Sequence, residues 1–278
     1  MGRILLFLEK SRKGHPGTLG TVILFSLVIG LLFNLLFLIP AFKEIAGNKL
    51  LLLGIGVIVY SVWIGTVLYL LKRDGFTLAE LGITKDKAVK GARISLYVFV
   101  IVNMVLIISS LINKRPLIRT EHFNAYAEVL RTAVIFNLNT LPGAFIEELV
   151  FRVYLIAQLY LLLKHRIASS GLRLLVVLIC SQAVFAIVHI PMLVFRHDYN
   201  MTYIFAALKT LFMSGINFAL IYLLVRNVFI VTFLHAVSNY SLAIIETPIH
   251  FEQLFMLVLL MLGIALTWRK QVPVAGDQ

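Results

Sequence analysis

Long apolar runs alternate with short polar stretches along the whole 278-residue chain. The runs at 19–41, 50–71, 91–112, 171–195, 201–225, 227–246 and 251–268 are each long enough, or nearly so, to cross a hydrocarbon core of ~30 Å. Residues 130–163 supply one more run, interrupted by Pro142-Gly143. In lipid only helices and closed barrels satisfy the backbone, and these runs lack the alternation of a barrel strand. The pattern therefore predicts an all-α integral membrane protein, a bundle of about eight transmembrane helices in a single membrane domain.

Composition agrees. The chain is 60% hydrophobic and 14% charged, whereas soluble domains are about 45–50% apolar and about 25% charged. The net charge of +12 reads as topology rather than as nucleic-acid binding, because Lys and Arg collect in alternate loops. Sixteen fall in segments such as 3–13, 72–93 and 164–173; seven fall in the opposite set, from Lys43 to Arg196. The positive-inside rule then puts both termini in the cytoplasm. The lone Cys180 leaves no disulfide framework or cysteine metal cluster. The first apolar run is too long for a cleavable signal peptide.

The organisation reads as a basic juxtamembrane arm (1–18), three supporting spans (19–112) and a polar-bearing core (130–268). Between spans, Thr77 and Glu80 fit a capping box that opens a short interfacial helix. Residues 113–129 form a loop or amphipathic segment on the other side.

Polar side chains inside spans concentrate after residue 146. A charge at the bilayer centre costs at least ~2.5–3.5 kcal/mol, so such groups face a protein interior or a wet cavity. "FIEELVFRVYL" (145–155) places Glu148 and Arg152 four apart, on one helical face where they can pair. Glu147 lies about 100° around the helix and needs another partner. Taken alone, the pair is equally well a structural ion pair. "FAIVH" puts Phe185 and His189 four apart, and "HAVSN" does the same for His235 and Asn239. An isolated intramembrane His or Asn is more often a helix–helix hydrogen-bonding group. Together, however, a carboxylate, two imidazoles and an amide on three helices are the parts of a hydrolytic site. Glu and His deprotonate water, and nearby N–H donors hold an oxyanion.

The ordered set E-E-x-x-x-R, F-x-x-x-H and H-x-x-x-N, spanning roughly 140–245, resembles the CPBP family. That family comprises CAAX prenyl endopeptidases and bacteriocin-processing and self-immunity proteins. The resemblance implies a glutamate-dependent intramembrane endopeptidase acting on a membrane-associated, prenylated or leader-bearing peptide in the bilayer. It makes Glu147 the general base, sharing a water with His189, and makes His235 and Asn239 the oxyanion hole. Glu148 and Arg152 would orient the site, and Phe185 would pack against His189 or line the groove. No cofactor is implied in this reading. The alternative is zinc held by Glu147, His189 and His235, although H-E-x-x-H is absent and Asn239 is a poor zinc ligand.

Other classes fit less well. Ser214-Gly215 lacks the glycine that a rhomboid-type serine motif places two residues before the serine. Asp74, Asp86, Asp198 and Asp277 sit near or outside span ends. A transporter would carry matching interrupted helices in both halves, and a noncatalytic scaffold or immunity protein is expected to lose a motif. Lys209 either snorkels outward or pairs with Glu148. One geometric demand follows from the spacing. His235 lies nine residues from Arg226, but Glu147 lies seventeen from Lys164. Level placement of the two requires strong tilt or a buried turn at 226–227.

Overall fold

The computed structural model describes residues 2–40, 42, 48–196 and 201–269. Lys43, Lys270, Asp198, Asp277 and His197 lie outside the described residues. Among those described, the chain is helical without strands; a single bridge joins Arg119 and Ile245. We number the helices α1 (Gly2–Glu9), α2 (Pro16–Leu35), α3 (Lys49–Arg73) and α4 (Lys85–Ile112). The run 126–162 is α5. In it the α-helical stretches Tyr126–Ile135, Leu141–Glu148 and Ile156–Leu162 alternate with π-helical Phe136–Thr140 and Leu149–Leu155. Then come α6 (Ser170–Val188), α7 (Ile190–Arg196), α8 (Met201–Val225), α9 (Val228–Asn239) and α10 (Phe251–Arg269).

Five described helices are long and apolar enough to cross a membrane: Pro16–Leu38, Leu51–Arg73, Lys85–Ile112, Ser170–Phe195 and Met201–Val225. That is fewer than the eight expected from apolar runs. The differences have local causes. Val228–Asn239 and Phe251–Ala265 are apolar but short, and α5 is divided by its π segments. Pro142 did not break α5 as the sequence led us to expect. Proline lacks an N–H and crowds the preceding turn, and the wider π turn of Phe136–Thr140 just before it absorbs that misfit. Gly143 serves packing: a Cβ there would sit 2.8 Å from the Tyr60 ring, so its absence lets α3 approach α5.

α9 is central, packing on α4, α8 and the Leu141–Glu148 part of α5, while α8 lies along α6 and α10. Gly215 allows the α8–α6 contact, since a Cβ would meet Gln182 Oε1 at 2.8 Å and Phe185 at 3.2 Å. Close packing explains the Ser214-Gly215 pair without a nucleophile. At one end, residues 118–120 are laced to 243–246 by Thr120 N–H to Ile244 O (3.1 Å) and Glu246 N–H to Ile118 O (2.8 Å).

At the other end α1 packs on the last part of α5 with Leu8 buried. Glu9 pairs with Lys164 (2.6 Å) and Arg173 (2.8 Å). The hydrogen bond from Lys164, and then the two cations, hold the Glu9 carboxyl below the usual glutamate range. Gln158 clasps residues 12 and 14, donating to Arg12 O and accepting from Gly14 N–H. Thr77 and Glu80 make the reciprocal capping bonds that their spacing predicts: Thr77 N–H donates to Glu80 Oε2 (2.8 Å) and Glu80 N–H to Thr77 Oγ1 (3.2 Å). The segment they open is a turn rather than a helix, closed by Gly82 at φ 75°.

Candidate active site

Three elements deliver the polar side chains. α5 presents Glu147 and Glu148 where its α-helical turns give way to the π segment that carries Arg152. π segments are rare and concentrate at functional sites. His189 caps the C-terminus of α6, its N–H bonded to Ala186 O, and Pro191 begins α7 instead of prolonging α6. His235 and Asn239 lie one turn apart on α9.

The sequence asked for strong tilt or a turn at 226–227 before α9, and the structure has a turn there. Arg226 adopts φ 52° and Asn227 is buried. Asn227 caps α9 through Phe229 N–H and donates to Lys87 O at 2.8 Å. The twelve-residue α9 thereby starts inside the bundle and brings His235 level with Glu147.

Glu147 Oε2 stands 3.5 Å from His189 Nε2 and 3.7 Å from His235 Nε2. Both separations exceed a good N–H···O bond, and Oε2 is buried with no hydrogen-bond partner. The imidazole of His235 bridges the adjacent carboxylates, since its Nδ1 contacts Glu148 Oε1 at 2.7 Å. The far nitrogens define the tautomers. Phe185 O can only accept, so His189 Nδ1–H donates to it (2.8 Å), and in its neutral form the ring turns its Nε2 lone pair toward Glu147. As a carboxylate, Glu148 likewise accepts from His235 Nδ1–H.

Arg152 is fully buried and 3.3 Å from Glu148 Oε1, with no hydrogen bond from its guanidinium nitrogens. Ring faces take their place. The guanidinium lies 3.9 Å from the Phe185 centroid and 5.6 Å from that of Phe218, a cation–π setting that strengthens when desolvated. Phe185 also meets the His189 ring at 4.7 Å, and Phe218 lies 5.1 Å from the His235 ring. Lys209 is exposed and forms no ion pair with Glu148.

Glu147, His189, His235 and Asn239 all line one cavity of about 420 Å³. Asn239 and Glu147 also border a second, about 160 Å³, next to Gly143. Part of the wall of the 420 Å³ cavity comes from helices read in the sequence only as support: Phe33 and Asn34 on α2, Tyr60 and Trp63 on α3. Trp63 Nε1–H donates to Ser26 Oγ at 3.0 Å, fixing that wall. Phe33, Tyr60, Trp63 and Phe218 were missed because an aromatic in an apolar span carries no signal distinguishing a cavity wall from core.

The Glu147, His189 and His235 donors are of the type zinc takes. Among the described residues, however, no three His, Cys, Asp or Glu are grouped to hold a metal ion.

No match is found among curated proteins or among solved structures. All seven motif residues fall within residues 129–241, and that segment matches the sequence model of the family described as Type II CAAX prenyl endopeptidase Rce1-like.

Proposed function

We propose that the protein is an intramembrane endopeptidase that hydrolyses a peptide bond near the lipid-bearing end of a membrane-associated substrate. The reading rests on one observation: a buried, unpartnered Glu147 oxygen faces two imidazole Nε2 atoms at 3.5 and 3.7 Å. A carboxylate oxygen and the His189 lone pair are both acceptors, so a group with two donor hydrogens is needed between them. Water is such a group, and a general base must lie within hydrogen-bond reach of the proton it takes. Glu147 and His189 withdraw a proton as the water oxygen attacks the scissile carbonyl. The carbonyl oxygen becomes the oxyanion, and the C–N bond then breaks as the proton passes to the leaving amine.

His235 and Asn239 serve the oxyanion. With Nδ1–H committed to Glu148, His235, set between the Glu147 and Glu148 carboxylates, donates from Nε2 only as the imidazolium. Arg152 offsets part of that negative charge and orients Glu148, and the Phe185 and Phe218 rings hold Arg152. The apolar cavity wall suits aliphatic side chains beside the cut bond. In this reading the broken α5 and the short α9 and α10 complete a bundle of about eight spans with both termini on the cytoplasmic side.

The test is cleavage of a fluorogenic farnesylated CAAX peptide by purified protein, wild type against Glu147→Gln, with and without chelator. Loss in the variant by a factor of about 10²–10⁴, the range for general-base removal, with chelator-insensitive wild type, supports the reading. Chelator-sensitive wild type would replace it with metal-assisted hydrolysis, and equal cleavage by the variant would remove Glu147 from the chemistry.

A further inference from the structure

A larger cavity, about 630 Å³, opens at the end of the bundle that carries α1, and it shares no lining residue with the cavity around Glu147. Its walls are α1, the turn at 76–81, the π segment of α5 and the end of α8. Its rim is cationic. Arg3, Lys10, Arg12 and Arg226 line it against one carboxylate, Glu80. Arg12 pairs with Glu80 at 3.6 Å, which leaves Lys10 and Arg226 unmatched by an acidic residue of the cavity. Its depth is apolar, with Phe76, Val153 and Tyr222 all buried.

Two features mark this as more than a basic surface. Tyr154 lines the cavity and is buried, yet its hydroxyl has no hydrogen-bond partner; such groups in native proteins ordinarily find one. Arg226 is held in the left-handed region (φ 52°), a strained setting for a side-chain-bearing residue. That backbone lays its guanidinium 5.1 Å over the Phe7 ring, with Nη2–H donating to Arg3 O. Burial, and then the neighbouring Arg3 charge, lower the Arg226 pKa. Like charges are thus gathered around a hollow with an apolar floor and an unsatisfied hydroxyl.

We propose that this cavity binds the phosphate headgroup of an anionic membrane lipid, with Lys10 and Arg226 at the phosphate and the glycerol–acyl junction against the apolar wall. Basic pockets at the ends of membrane helices recognise such headgroups. The apolar floor favours a lipid over free phosphate, which has nothing to place there.

Native mass spectrometry of the full-length protein in neutral detergent, titrated with dioleoyl-phosphatidylglycerol, reads the binding directly. Wild type is expected to take one lipid with saturation. Lys10→Gln with Arg226→Gln should weaken it roughly thirtyfold, since each cation near an anionic surface contributes about fivefold. Lys10→Gln alone, at an exposed position, should cost about fivefold and guards against misfolding of the double variant. Lys72→Gln, an exposed cation elsewhere, should change nothing. Equal binding of dioleoyl-phosphatidylcholine, wild-type affinity in both Lys10 variants, or an equal loss in Lys72→Gln would overturn the site. Full competition by millimolar inorganic phosphate would assign it to a free anion instead.

Discussion

Two clusters of opposite charge tie this bundle together, and they are built differently. At the N-terminal end, Glu9 meets Lys164 and Arg173 through short bonds of 2.6 and 2.8 Å, with Glu9 and Lys164 partly in solvent. In the middle of the helices, Glu148, Arg152 and His235 are almost wholly buried, and the guanidinium of the arginine makes no hydrogen bond. The first cluster resembles a fastening, with good geometry, high screening and replaceable parts. In the second, aromatic rings stand where hydrogen-bond acceptors would be, and a carboxylate is left with an oxygen unused. Good geometry is absent where stability alone would favour it, and what remains is a preset field around His235 and Glu147. Buried ion pairs are weak devices for stability, so the contrast points to orientation as the purpose of the inner cluster.

Mutations sharpen that contrast. The largest effect is expected on turnover: Glu147→Gln, nearly isosteric, should lose activity by about 10²–10⁴ while melting close to wild type. Asn239→Ala should lower kcat about 10²–10³-fold, the usual result of deleting an oxyanion donor, with a smaller change in KM. Arg152→Met strands Glu148 in the interior and should cost about 3–5 kcal/mol of stability, read by thermal or denaturant unfolding in detergent. If it costs under ~1 kcal/mol, the value of an exposed pair, the two clusters do not differ as described. Glu9→Gln, at the partly solvated cluster, should cost only ~1 kcal/mol or less and leave turnover unchanged.

The pH dependence of the outer cluster follows from its sign. The folded pKa of Glu9 is lowered by Lys164 first, with help from Arg173 and Tyr160, and that of Glu80 by the Thr77 N–H and hydroxyl. Both therefore stabilise the fold fully above the ordinary glutamate value of about 4.3, and the benefit fades as pH falls through their lowered values. Acid titration of the melting temperature should show a decline in that window, reduced in Glu9→Gln.

Much of the site was legible in the sequence because charges and imidazoles are costly inside apolar spans. The spacing of Glu148 and Arg152 foretold their ion pair, and the offset of Glu147 foretold a separate partner. The depth mismatch of His235 asked for tilt or a turn at 226–227, and Arg226 and Asn227 form a turn there. Other features left no trace. The π turns on either side of Glu147 and Glu148, at Phe136–Thr140 and Leu149–Leu155, leave no mark that one-dimensional periodicity registers. Phe218 and Trp63 look like any core aromatic until their neighbours are known. The span count is legible only in part: five helices are long and apolar enough to cross, and α9 and α10 are apolar but shorter than their apolar runs suggest.

The central claim, that Glu147 and His189 hold the attacking water between them, is tested most directly by a density map at water-resolving resolution. The account predicts one ordered water about 2.6–3.2 Å from both Glu147 Oε2 and His189 Nε2, on the side of Asn239. A direct Glu147–His189 contact with no solvent between them would contradict it, and so would an ion bound at about 2.0–2.2 Å from Glu147 and both imidazoles.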